Sequence, residues 1–97
     1  MLVEFEDPHL EALYWVADTP HPRMGTELVR AYRKVVGLLY QVSDDRELRA
    51  FKSLRLEQLK GPRQLSLRLR GDDRLIVHFR TDTQGRVVVV IEVVDCH

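Results

Sequence analysis

Cysteine is nearly missing from this chain, and that narrows its chemistry first. The single thiol, Cys96, cannot close an internal disulfide, and no C-x-x-C spacing is present from which to build a zinc or redox centre. Long apolar runs are missing too. The longest, VVVVI followed after Glu92 by VV, falls far short of the roughly 20 residues a membrane helix needs. There is no glycine-rich phosphate loop, no internal repeat, no low-complexity tract and no linker-like stretch. No leader pattern opens the chain, so the cytoplasm is the expected location and no membrane partner is expected. Net charge is also absent: 15 Lys and Arg balance 15 Asp and Glu. The chain as a whole therefore exerts no pull on nucleic acid or anionic lipid, and an anion site must come from local arrangement.

Such an arrangement is present. Residues 44–86 hold eleven Lys and Arg against seven Asp and Glu, while the segments on either side are each acidic by two. The 97 residues suffice for one domain, spanning 1–97, with a modest core that needs no staple.

Taken in order, LVEF alternates apolar and acidic positions and is expected to be a strand. Asp7 followed by Pro8 marks a helix start, because a side-chain acceptor at the N-cap precedes a residue whose missing N–H costs nothing there. Leu10, Leu13, Tyr14 and Ala17 recur at helical spacing up to a stop near Asp18, where TPHPR places two prolines. Thr26 can cap a longer helix whose Leu28, Tyr32, Val35, Leu39 and Val42 form one apolar stripe. Gly37 in its middle marks a close approach or a soft point. Asp44 with Glu47 caps a short third helical piece carrying Leu48 and Phe51.

From Leu56 onward a basic turn leads into three strands. In QLSLRLR, the leucines Leu65, Leu67 and Leu69 take one face, and Ser66, Arg68 and Arg70 the other. Gly71–Asp73 and Gln84–Gly85 supply the reversals. The expected fold is α+β, an N-terminal strand and two helices packed on a small antiparallel sheet, with the helices on one face and the arginines on the open one.

L-x-x-L-K-G at Leu56–Gly61, S-L-R-L at Ser66–Leu69, Arg74 opening the next strand, and a terminal Asp-Cys-His together resemble the HigB branch of the RelE-type toxins. The match is best over residues 54–97; over residues 1–53 it is agreement in the order of elements. The resemblance implies a RelE-like two-layer fold and a toxin of a type II toxin–antitoxin pair. It also implies a ribosome-dependent mRNA endoribonuclease (an mRNA interferase) silenced by an antitoxin, a HigA-like DNA-binding protein. It makes Lys60, Arg68, Arg74, Asp95 and His97 the catalytic groups and puts Cys96 at an RNA-contacting position. Arg63 in the basic turn, and Arg70 and His78 by strand alternation, are further expected RNA contacts. Cys96 departs from the pattern: HigB-like proteins usually carry a tyrosine there, and a thiol can neither stack on a base nor supply a phenol.

The chemistry fits these roles. RNA cleavage without metal needs a base for the 2′-OH, cations for the phosphate and an acid for the leaving oxygen. Arg68 and Arg74 suit the cationic task, since guanidinium is permanently charged and forks onto phosphate oxygens. His97, beside Asp95, is the candidate for proton transfer, and Lys60 is a positioning cation or base. A metal site from Asp95, Cys96, His97 and His78 lacks ligand spacing, so no metal or other cofactor is expected. Two alternatives stand beside this reading. One is a relative that binds RNA or ribosome but has lost cleavage, and the other is a ParE-like inhibitor of DNA gyrase.

Overall fold

The computed structural model of the chain describes residues 1–59 and 64–95. Among them the chain forms β1 (Leu2–Phe5), α1 (Pro8–Trp15), α2 (Thr26–Gln41), α3 (Asp45–Arg49), β2 (Glu57–Gln58), β3 (Gln64–Arg70), β4 (Asp73–Asp82) and β5 (Gly85–Asp95). A single 3-10 turn at Lys52–Leu54 precedes β2. The strands make one sheet in the order β1-β5-β4-β3-β2. The fold is α+β, with the helices on one side of that sheet.

Its sheet is mixed, where the sequence led to an antiparallel one. From β2 to β5 neighbours are antiparallel, but β1 runs parallel to β5, with Leu2 beside Val87 and Phe5 beside Val90. A parallel pair needs a long crossover. Here the connection takes in every helix and the rest of the meander, so nothing local to LVEF reveals its direction. The two-residue β2 also went unread, because Glu57 and Gln58 are too few to show alternation.

Local chemistry accounts for the helices. Asp7 caps α1, its carboxylate accepting from the His9 N–H at 2.8 Å, with Pro8 at the first helical position. The far end of α1 is closed by side chains from elsewhere. Arg33 of α2 donates to the carbonyls of Leu13 (2.8 Å) and Val16 (3.2 Å), and Thr19 donates to that of Val16 (2.8 Å). Tyr32, fully buried, donates its hydroxyl to the Leu10 carbonyl at 2.6 Å, and burial raises its pKa. Thr26, expected to cap α2, is its first helical residue, and Gly25 stands at the N-cap. Asp44 caps α3 as expected, accepting from the Glu47 N–H at 3.0 Å.

Leu10 and Leu13 of α1 and Tyr32, Val35, Val36 and Leu39 of α2 pack on Leu65, Leu67, Leu75, Val77, Phe79, Val88 and Val90 of the sheet. Each such side chain contributes about 1.5–3 kcal/mol when removed from water. Short α3 is tied down by an ion pair: Asp45 faces Arg86 of β5 at 3.2 Å, and that guanidinium lies 5.4 Å from the Phe79 ring centre. Burial pushes the Asp45 carboxyl upward, but the hydrogen bond from Arg86, a backbone hydrogen bond and the charges of Arg86 and Arg49 together outweigh it. The net direction is downward.

Two irregularities reset which side chains face the helices. Arg68 pairs with Arg74 but Arg70 with Asp73, so Leu69 is an extra residue in β3. Val77 pairs with Val90 but Ile76 with Glu92, so Ile91 is extra in β5. Such bulges shift the alternation of everything beyond them.

Two outcomes test this account. A β-carbon on Gly37 would meet the Tyr14 hydroxyl at 3.5 Å, ordinary contact distance. Gly37→Ala therefore gains helix propensity without a clash and should raise urea-unfolding stability by about 0.5–1 kcal/mol. The Asp45 carboxyl titrates lower in the folded than in the unfolded chain. Its pair with Arg86 should stabilise fully above the unfolded carboxyl pKa, near about 4, and fade as pH falls through the lower folded value. Asp45→Asn should cost about 0.5–1 kcal/mol at pH 7 and have little effect at pH 2, measured by unfolding across that range.

Candidate functional site

The helix-free face of the sheet is built by register. Gln64, His78 and Val89 form one row across it; Ser66, Ile76 and Glu92 form the next; Arg68, Arg74 and Val94 form the third. Arg68 and Arg74 are thus direct cross-strand partners, which places their Cβ atoms roughly 5 Å apart. The sequence reading asked for more than this, namely guanidinium groups converging on one phosphate.

Their guanidinium groups are held in different ways. Arg74 Nε donates to the Ser66 hydroxyl at 2.5 Å, and Nη2 donates to the carbonyls of Arg55 (2.5 Å) and Ser66 (3.1 Å). A guanidinium has five N–H donors. Those on Nε and Nη2 are engaged here, and among the described residues the pair on Nη1 has no partner, which leaves it for an anion. Among the described residues Arg68 makes one long bond, from Nε to the Gly71 carbonyl at 3.3 Å. Both of its terminal nitrogens are left for a two-pronged grip. The two anchors lie on opposite sides of the shared register position, Ser66 behind it and Gly71 beyond it. Convergence on one phosphate therefore requires Arg68 to leave a weak, exposed contact while Arg74 stays still. The expectation that both arginines fork onto phosphate is corrected for Arg74, whose forking edge is spent on Ser66.

Charge sorts the sheet's arginines further. Arg80 pairs with Glu4 at 2.5 Å, spanning the intervening β5 above Val87 and Val89. Arg86 pairs with Asp45. Arg70 forms an ion pair with Glu27 in the first turn of α2. This corrects the placement of Arg70 beside Arg68 on the open face, because the Leu69 bulge turns it to the helix side. The contacts of Arg68 and Arg74, by contrast, go to neutral oxygens.

Asp95 is the second correction. It pairs in register with Asp73, on the helix side, and lines a cleft with Asp7, His21 and Arg23. Arg74 pairs with Val94 and faces the other way. Strand parity thus separates Asp95 from the arginines it was expected to serve. His78 is on the open face, half-buried, but four residues from Arg74 along β4. At roughly 3.3 Å per residue that is about 13 Å, too far to act on the same phosphate. Lys60, Arg63, Cys96 and His97 lie outside the described residues.

Arg68 also stands on the rim of a groove of about 710 Å³ between α2 and the edge of β3. Leu38, Phe51, Leu54 and Leu69 line it with Lys34, and among the described residues no carboxylate contributes to its wall. Phe51 there is 40% exposed. Among the described residues no three His, Cys, Asp or Glu side chains gather where one metal ion could be held. No helix among the described residues is long and apolar enough to cross a membrane.

Sequence reasoning missed Ser66 and Arg55. Ser66 was read as a generic outward polar position, yet it is 2% exposed beneath Arg74. The available signal was a small polar residue between two leucines, two positions from Arg68 on the same strand face. Arg55 gave no signal, since its backbone carbonyl is what matters.

Removing Arg74 leaves the buried Ser66 hydroxyl and two carbonyls without their donor. Arg74→Ala should therefore cost about 1–3 kcal/mol in chemical denaturation. Arg68→Ala should stay within about 0.5 kcal/mol of the parent, as an exposed side chain with one long bond. No protein-family model, curated protein or solved structure matches the chain.

Proposed function

We propose that the protein is a HigB/RelE-like toxin of a type II toxin–antitoxin pair, with the two-layer fold of that group. On this reading it is a metal-independent mRNA interferase that inhibits translation on the ribosome. One observation carries the reading: Arg68 and Arg74 face each other across the ladder on the helix-free side, and their hydrogen bonds go to neutral oxygens rather than carboxylates. The other described arginines of the sheet are each spent on an acidic partner. Full charge kept at one position of a neutral chain is what an electrostatic phosphate site needs.

In this mechanism Arg74 is the fixed charge, presenting Nη1 to one phosphate oxygen. Arg68 swings from Gly71 and takes two oxygens with its terminal nitrogens. Charge that builds on the phosphorane as the 2′-oxygen attacks is then met by two guanidiniums already in place. Proton transfer falls to His97 and Lys60; Asp95, on the far face, has no part in it. The silencing partner is an antitoxin of the HigA-like, DNA-binding kind. The carboxylate-free groove beside Arg68 would let its chain and RNA compete for one side chain.

Binding without cleavage is the second reading. It is favoured by the distance of His78 from Arg74, which leaves the described part of the open face with cations but no proton donor in reach.

Expression without a partner should arrest growth, and primer extension on translated mRNA should show codon-linked breaks. Arg68→Ala should remove the arrest and lower the cleavage rate by roughly 10²-fold, the typical loss of one preorganised charge donor. Arrest without mRNA breaks would sink the nuclease and leave a different target, such as gyrase. Ribosome association without breaks or arrest would leave the binding-only reading.

A further inference from the structure

Arg74 is held by groups that do nothing to its charge. Ser66 is nearly inaccessible, at 2% exposure. Its hydroxyl and its carbonyl both accept from the same guanidinium, on Nε and Nη2. The third acceptor, the Arg55 carbonyl, is aimed by an unusual backbone: Arg55 ends the 3-10 turn with φ 45° and ψ 56°, in the left-handed region. A non-glycine residue enters that region only at a cost of about 1–2 kcal/mol, so its surroundings must hold it there. Arg55 is itself exposed, and its carbonyl bond to Arg74 at 2.5 Å is the contact that joins this turn to the open face of the sheet.

We propose that Ser66 and the Arg55 carbonyl are positioning groups, a bracket that locks Arg74 so that only its Nη1 edge meets an RNA phosphate. This rests on the nucleic-acid reading above and deepens it. Without the bracket, Arg74 is a long side chain with many rotamers, and binding must order it. With the bracket that ordering is complete before RNA arrives. The bracket also assigns different work to the two arginines. Arg74 sets where the phosphate sits, and Arg68, on its single long bond, closes on it.

The test is a double-mutant cycle with a probe that cannot be cut, a short fluorescein-labelled 2′-O-methyl oligoribonucleotide, read by anisotropy at low salt. Ser66→Ala should weaken binding roughly three- to tenfold, the factor that ordering one long side chain costs. In the Arg74→Ala background the same change should have no effect, because there is no side chain left to orient. In parallel, the Arg74 Nε–H proton should exchange slowly with solvent in the parent, by ¹⁵N-edited NMR, and quickly in Ser66→Ala. An equal loss of binding in both backgrounds would show that Ser66 acts through the fold and would overturn the positioning role. Fast exchange of that proton in the parent would overturn the bracket. A slow proton in a parent that binds no oligonucleotide would overturn the nucleic-acid reading and the positioning role with it, while leaving the bracket as a structural brace.

Discussion

Strand parity is the constraint on which this structure turns. In β3, β4 and β5 each residue's face is set by register, and a one-residue slip exchanges the two faces. The helix-side leucines, valines and Phe79 hold that register, since shifting them would expose most of the core at once. Two bulges then alter the pattern locally. The extra Leu69 sends Arg70 to Glu27 on α2 and leaves Arg68 opposite Arg74. The extra Ile91 keeps Val94 behind Arg74 and puts Asp95 beside Asp73 on the helix side. One insertion in each strand therefore decides which charges can meet.

What could be read in advance follows from this. Periodicity is local, so LVEF, the Asp7–Pro8 start, the α2 stripe and the QLSLRLR alternation were all legible from neighbours a few residues apart. The antiparallel return of the strand after Gly71–Asp73 was legible too, but the pairing of Arg68 with Arg74 was not, because it depends on the extra Leu69. Bulges left no mark. Leu69 and Ile91 are ordinary strand residues, and nothing in their side chains distinguishes an unpaired position from a paired one. The parallel docking of β1 was hidden for a different reason: its partner lies some eighty residues away and is chosen by the whole core. Arg70 was misplaced by the bulge, not by any error in reading strand character.

The open face shows how a neutral chain can present a cation. Arg80 and Arg86 face carboxylates and act as clamps, one across β5 and one onto α3. Such pairs contribute modestly at a partly exposed surface, but they cancel charge where they form. Arg68 and Arg74 keep theirs. The local excess of base between residues 44 and 86 is therefore less important than its distribution, because three of the five sheet arginines in that segment are paired with carboxylates. A count of basic residues would have drawn attention equally to Arg70, Arg80 and Arg86, which geometry removes from consideration.

The choice of Ser66 beneath Arg74 bears on function because of what an acid there would do instead. A carboxylate at that position would bind the guanidinium more tightly, as charge-assisted bonds are roughly twice as strong as neutral ones. It would also compete with phosphate for the same charge and leave the site nearly neutral. A hydroxyl and two carbonyls fix direction while leaving the full positive charge to be felt outside. The buried Ser66 oxygen accepts from Arg74 rather than being left without a partner, which lowers the penalty of burying it. The left-handed backbone at Arg55 is the counterpart of that economy: a small local strain supplies the third acceptor without adding a negative charge. A buried carboxylate would also carry a desolvation cost that a hydroxyl avoids. The neutral bracket therefore fixes the direction of Arg74 without cancelling its charge.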